Sequence, residues 1–136
     1  MGKLITTLVR QYNTNSPFTI AERLNIHIRY ADLGEYTRGI YYCELRRRFI
    51  VINSNLTSFW QRFICAHELG HDQLHRGLNR FFLDELTLQN ANRYERQANM
   101  FAVNLLLANH EFVQGETIEQ LFMRVEIPHE MTQYYK

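Results

Sequence analysis

The chain has 136 residues, of which 46% are hydrophobic and 21% charged, and its formal net charge is +1. A chain of this length and composition typically forms one folded unit, so we expect a single domain over residues 1–136. The balanced charge provides no basic stripe for nucleic acid, and no stretch reaches the roughly 18 apolar residues of a membrane helix. Two cysteines without a secretory leader do not make a disulfide framework. We therefore expect a cytoplasmic protein that contacts neither nucleic acid nor membrane.

The first half of the sequence contains short helical patterns followed by strand patterns. Apolar residues at helical spacing predict a helix over about Lys3–Tyr12. Ser16 and Pro17 predict the cap and first turn of a second helix, which ends near Leu24. Strand patterns cover residues 26–30, 38–45 and 49–53. We interpret the arginine run 46–48 as the solvated turn of a hairpin between the last two strands.

After Asn53 the sequence is typical of helices and loops. Ser58 and Gln61 have capping-box spacing, which predicts a helix running through about His75. A loop follows, with Gly77 at its start. Further helical patterns cover residues 92–107, 117–125 and 128–134. These elements together predict an α+β fold in which a small antiparallel sheet packs on the helices.

Residues 67–71 read His-Glu-Leu-Gly-His within the first of the two strong helices. At about 3.6 residues per turn, His67 and His71 lie one turn apart on the same face, so both imidazoles can reach one ion. Glu68 is rotated by about 100° around the axis and falls beside that ion, where it can accept a proton from water. This spacing is typical of a zinc-dependent hydrolase, with His67 and His71 as metal ligands and Glu68 as the catalytic base.

A catalytic zinc usually has three protein ligands and one open position, so a third ligand is needed. Glu95, in the second strong helix, is the best candidate, because the intervening loop could return it to the ion. Glu95 also has capping-box spacing from Asn92, so the residues alone leave open whether it binds metal or caps the helix. Asn99, one turn beyond Glu95, is placed to hydrogen-bond an imidazole and orient it.

His75 lies one further turn along the helix from His71 and has three possible roles. It could be the third ligand, donate a hydrogen bond to an oxyanion, or pack at the helix end. Three ligands at successive turns of one straight helix converge poorly on one ion, so we expect His75 to support the ligands rather than join them. Tyr94 and the C-terminal segment are the other candidates for an oxyanion donor.

Two strings in the sequence resemble the motifs of the ImmA/IrrE family of metallopeptidases. The first runs from Arg62 to His71 with Leu74-His75 after it, and the second runs from Glu95 to Ala102 with two leucines after it. The order of elements, with N-terminal helices and a small sheet before the motif helix, is also similar. The resemblance implies a minimal zincin-like domain of the gluzincin type, in which Glu95 is the third ligand of one Zn²⁺ ion.

Members of the short ImmA branch are encoded by phages and integrative elements and cleave a helix-turn-helix repressor of the same element. The resemblance therefore implies a zinc-dependent, site-specific endopeptidase whose substrate is such a repressor. The alternative is a regulator that holds a metal and binds a repressor without cutting it. The sequence departs from the family pattern at Asn104, often acidic, and at 107–109, often a Met-Pro pair. These departures concern substrate contacts or the helix exit, and nothing in the sequence indicates an oligomeric state.

Overall fold

The computed structural model describes residues 1–75, 81–85 and 93–135. Within these ranges the helices are α1 (Gly2–Tyr12), α2 (Pro17–Arg23), α3 (Ser58–Leu74), α4 (Arg93–Leu107) and α5 (Ile118–Arg124), and a 3₁₀ helix covers His129–Tyr134. The strands are β1 (Ile26–Ala31), β2 (Thr37–Glu44), β3 (Arg47–Asn53) and β4 (Phe81–Glu85). The predicted α+β class is confirmed. Across the described part of the chain, no helix has the length and apolar character needed to span a membrane.

Local sequence signals set the beginnings of α2 and α3. As predicted, Ser16 is the N-cap of α2 and Pro17 is its first residue. The N-cap of α3 is Thr57, whose hydroxyl accepts a hydrogen bond from a backbone N–H in the first turn. The predicted capping box between Ser58 and Gln61 is wrong, because the Gln61 amide instead donates to backbone carbonyls of the preceding turn.

The four described strands form one sheet in the order β1-β3-β2-β4. Strand β2 pairs antiparallel with both β3 and β4, but β1 and β3 are parallel. The predicted antiparallel sheet is therefore a mixed sheet, because β3 folds back from β2 into the position beside β1 and runs in the same direction as β1. Strand β4 falls where helix and loop were predicted. Its pairing with the distant β2 is a tertiary contact that a local residue pattern does not encode.

A two-residue turn joins β2 to β3. Leu45 and Arg46 both have left-handed backbone angles, with φ of 51° and 66°. Two such residues in succession are the requirement of a type I′ hairpin turn. Arg47 and Arg48 belong to β3, so the predicted three-arginine solvated turn is wrong for these two residues.

The side chain of Arg48 links three elements: its own strand β3, the end of α2, and the carboxylate of Asp72 on α3. Its Nη1 lies 2.9 and 3.1 Å from the two carboxylate oxygens, and its Nη2 donates to the carbonyl of Leu24 at the end of α2. The Tyr41 hydroxyl donates to the same carboxylate at 2.6 Å. Burial, together with this hydrogen bond, raises the pKa of Tyr41 above its ordinary value, so the hydroxyl stays protonated. The buried carboxylate thus fixes α3 against the sheet.

Helix α3 lies between the sheet and α4, and Gly70 allows the two helices to approach closely. A Cβ atom at Gly70 would come within 3.1 to 3.2 Å of atoms of the buried Phe101 side chain. The core between these layers consists of large apolar side chains, among them Ile50, Ile52, Phe63, Leu69, Phe101, Leu105 and Phe122. The close packing of α3 on α4 brings the motif histidines to the first turn of α4.

Candidate metal centre

The three predicted metal ligands converge at the α3–α4 interface. Nε2 of His67 lies 3.2 Å from one carboxylate oxygen of Glu95, and Nε2 of His71 lies 2.8 Å from the other. One ligand atom from each residue lies within 4.8 Å of the other two, and all three residues are buried. The predicted loop at Gly77 and the predicted cap Asn92 lie outside the described residues. Glu95 is directed at both imidazoles, which is the arrangement expected of a ligand.

The protonation of this cluster suits a cation. Burial lowers the pKa of His71 to about 4, although Glu95 beside it acts in the opposite direction. This imidazole is therefore neutral at neutral pH. Burial raises the pKa of Glu95, but the two imidazoles of His67 and His71 beside it outweigh burial and hold that pKa below its ordinary value. The ionised carboxylate accordingly supplies a negative charge to the cluster.

Asn99 fixes the tautomer of His67, so that the ring nitrogen facing Glu95 carries a lone pair. The Asn99 side-chain oxygen lies 2.7 Å from Nδ1 of His67. An amide oxygen only accepts hydrogen bonds, so Nδ1 carries the hydrogen and Nε2 of the neutral ring is an acceptor. Nε2 and the Glu95 carboxylate are then two acceptors facing each other, which is favourable when a cation lies between them. Two imidazole nitrogens and one carboxylate oxygen fit Zn²⁺.

Glu68 is fully buried and follows His67 on α3. Its carboxylate lies against β2, where a Cβ atom at Gly39 would come within 2.9 Å of Oε2 of Glu68. The absence of a side chain at this strand position therefore makes room for the carboxylate. We did not identify Gly39 from the sequence. A glycine inside an aromatic strand pattern is the signal that could have revealed it, because such glycines often mark close approach.

His75 lies beside the cluster rather than in it. Its Nδ1 is 2.9 Å from Nδ1 of His71, and its Nε2 is 2.8 Å from the side-chain oxygen of Gln97. The ring packs edge-on against Tyr94 with 4.9 Å between centroids. With both ring nitrogens engaged, His75 is placed to support His71 and not to donate to an oxyanion. Gln97 was missed in the sequence, where a glutamine on a helix carries no distinguishing signal.

The geometry defines a class of protein. A motif helix lies between a mixed sheet and a second helix that returns a glutamate to two histidines, as in a zincin-like metallopeptidase. The family model described as the IrrE N-terminal-like domain, peptidase family M78, matches residues 21–133. The chain belongs to this family, and the resemblance to ImmA/IrrE proteins is confirmed.

Two curated relatives agree with this assignment. The chain is 42% identical over 115 residues to "Uncharacterized immunity region protein 2" of Bacillus phage phi105, an alignment covering 85% of this chain and 73% of the relative. It is 28% identical over 137 residues to "Metallopeptidase ImmA" of Bacillus subtilis (strain 168), with coverage of 96% and 80%. The chain is accordingly a metallopeptidase of the M78 type.

Proposed function

We propose that this metallopeptidase holds one Zn²⁺ ion with His67, His71 and Glu95 and uses Glu68 to hydrolyse a peptide bond. The proposal depends on one observation, the convergence of three buried ligand atoms within 4.8 Å of one another. Two imidazoles and a carboxylate match the three-ligand sets of catalytic zinc sites, which keep a fourth position for water or substrate. A closed structural site would need a fourth protein ligand.

Each residue has a separate task in the proposed reaction. When bound, the ion supplies Lewis acidity to the scissile carbonyl and lowers the pKa of water at the site to about 7. Glu68 accepts the proton of the attacking water and later delivers it to the departing amine. Asn99 holds His67 in the tautomer in which Nε2 presents its lone pair to the site. The space left by Gly39 lets the Glu68 carboxylate lie close to β2.

We further infer that the substrate is a helix-turn-helix repressor of a phage or mobile element, met in the cytoplasm. The phage relative is named as an immunity region protein, and the bacterial relative is named Metallopeptidase ImmA. The family resemblance supplies the link between such peptidases and repressors. The alternative function, binding a repressor without cutting it, requires no catalytic base.

The substrate proposal predicts metal-dependent cleavage of the repressor encoded beside this gene. The zinc-loaded protein should convert that repressor into two fragments, whose masses locate a single cut site. Removing the metal with a chelator should stop cleavage, and adding Zn²⁺ back should restore it, because the base alone cannot activate water sufficiently. The measurement is gel electrophoresis with mass spectrometry of the products.

An unrelated helix-turn-helix protein of similar size serves as the control substrate and should remain intact. A repressor that binds the zinc-loaded protein but stays whole would support the non-proteolytic alternative. Cleavage that continues unchanged after complete metal removal would contradict the proposed metal chemistry.

A further inference from the structure

We propose that Gln97 and His75 form a hydrogen-bonded relay that fixes the tautomer of His71 and directs its Nε2 to the metal. Both are positioning residues, since neither is among the three proposed ligands. The inference rests on the proposed zinc site. It gives His75 a specific partner, Gln97, which the sequence alone did not indicate.

The relay is defined by two short contacts, one between α4 and the end of α3 and one within the last turn of α3. The side-chain oxygen of Gln97 lies 2.8 Å from Nε2 of His75. Nδ1 of His75 lies 2.9 Å from Nδ1 of His71. Gln97 is in α4, two residues beyond Glu95, whereas His71 is in α3. The same pair of helices is therefore joined twice, once through the ligands and once through the relay.

The chemistry of the groups gives the relay a direction. An amide oxygen only accepts, so Nε2 of His75 must be the donor to Gln97. A neutral imidazole has one N–H, and Nδ1 of His75 is therefore the acceptor for Nδ1–H of His71. Nε2 of His71 is then left with its lone pair, 2.8 Å from a carboxylate oxygen of Glu95. Either imidazole can be the donor in a hydrogen bond between two imidazoles, and Gln97 determines that His71 is the donor here.

The surroundings of His75 keep this direction fixed. His75 is only 3% exposed, so bulk water has little access to compete for its ring nitrogens. Tyr94 packs edge-on against the ring, and the backbone N–H of His75 donates to the carbonyl of His71 at 3.0 Å. Both metal-binding imidazoles are thus oriented by amide oxygens of α4, His67 directly by Asn99 and His71 through His75. Such orienting partners fix the tautomer and the ring orientation of metal-binding histidines.

The first test compares the zinc affinity of two variants. Gln97→Leu removes the hydrogen-bond acceptor at similar side-chain size, whereas Gln97→Glu keeps an acceptor. Competition with a chromogenic chelator should show affinity lowered by about 10- to 100-fold in Gln97→Leu, the usual effect of losing an orienting partner. Gln97→Glu should bind close to wild type. Asn104→Leu, an amide-to-leucine change on the same helix, is the matched control and should leave affinity unchanged.

The second test reads the tautomers directly from ¹H–¹⁵N spectra of the imidazoles in the metal-free protein. We expect the wild type to carry hydrogen at Nε2 of His75, the nitrogen that faces Gln97, with this preference weakened in Gln97→Leu. A wild-type spectrum with hydrogen at Nδ1 of His75 instead, or wild-type zinc affinity in Gln97→Leu, would overturn the relay. If the wild type bound no zinc, the proposed function would fail, whereas the spectra would still decide the relay.

Discussion

Glu68→Gln is expected to reduce repressor cleavage by roughly 10²- to 10⁴-fold, the range that a positioned general base contributes. Glutamine has the same shape as glutamate, but its amide cannot accept the proton of the attacking water. Glu68 is not one of the three residues whose ligand atoms converge. Zinc content and the unfolding temperature should therefore stay close to those of the wild type. Initial rates on the purified repressor, with metal content measured on the same samples, provide the comparison.

Glu119→Gln is the matched control for this variant. Glu119 is an exposed residue of α5, so its replacement should leave the cleavage rate unchanged. If Glu68→Gln cut the repressor as fast as the wild type, Glu68 would not be the base. If Glu68→Gln failed to cut but still relieved repression in cells, the non-proteolytic function would be favoured.

Arg48→Ala should lower the free energy of unfolding by about 3 kcal/mol, because it leaves the buried carboxylate of Asp72 without its cationic partner. Breaking a buried ion pair from one side typically costs 3–5 kcal/mol. The lower end applies here because the Arg48 side chain is 21% exposed and Tyr41 still donates to Asp72. For a chain of this length, such a loss lowers the melting temperature by roughly 10 °C.

Arg47→Ala is the control, since Arg47 is the exposed neighbour in the same strand. Surface substitutions of this kind change stability by about 0.5 kcal/mol or less. Chemical denaturation of both variants at neutral pH measures the difference. Equal stability of the two variants would show that the Arg48–Asp72 pair does not hold α3 on the sheet.

His67 and His71 could be located from the sequence because their relative geometry is local. Helical spacing alone places His67 and His71 on one face of α3, and Asn99 lies one turn from Glu95 on α4. The convergence of Glu95 with the histidines depends on the packing of two helices. The residues by themselves therefore left a capping role open, and the family resemblance decided between the alternatives.

Features that depend on long-range contacts were not predicted. Strand β4 is defined by its pairing with β2. The parallel pairing of β1 with β3 arises because the β2–β3 hairpin places β3, and not β2, beside β1. Arg48 has the same local pattern as its two arginine neighbours, and its buried partner Asp72 lies on another element. Gln97 likewise acquires its role only when α4 packs against His75. Local patterns carry no information on such partners.

The most direct measurement is anomalous diffraction at the zinc edge from crystals grown with Zn²⁺. We expect one strong peak bounded by Nε2 of His67, Nε2 of His71 and the carboxylate of Glu95, about 2.0–2.1 Å from each nitrogen. The peak should vanish in crystals of Glu95→Ala grown under the same conditions. A peak elsewhere, or an ion bound with Glu95 turned away from both histidines, would contradict the proposed centre.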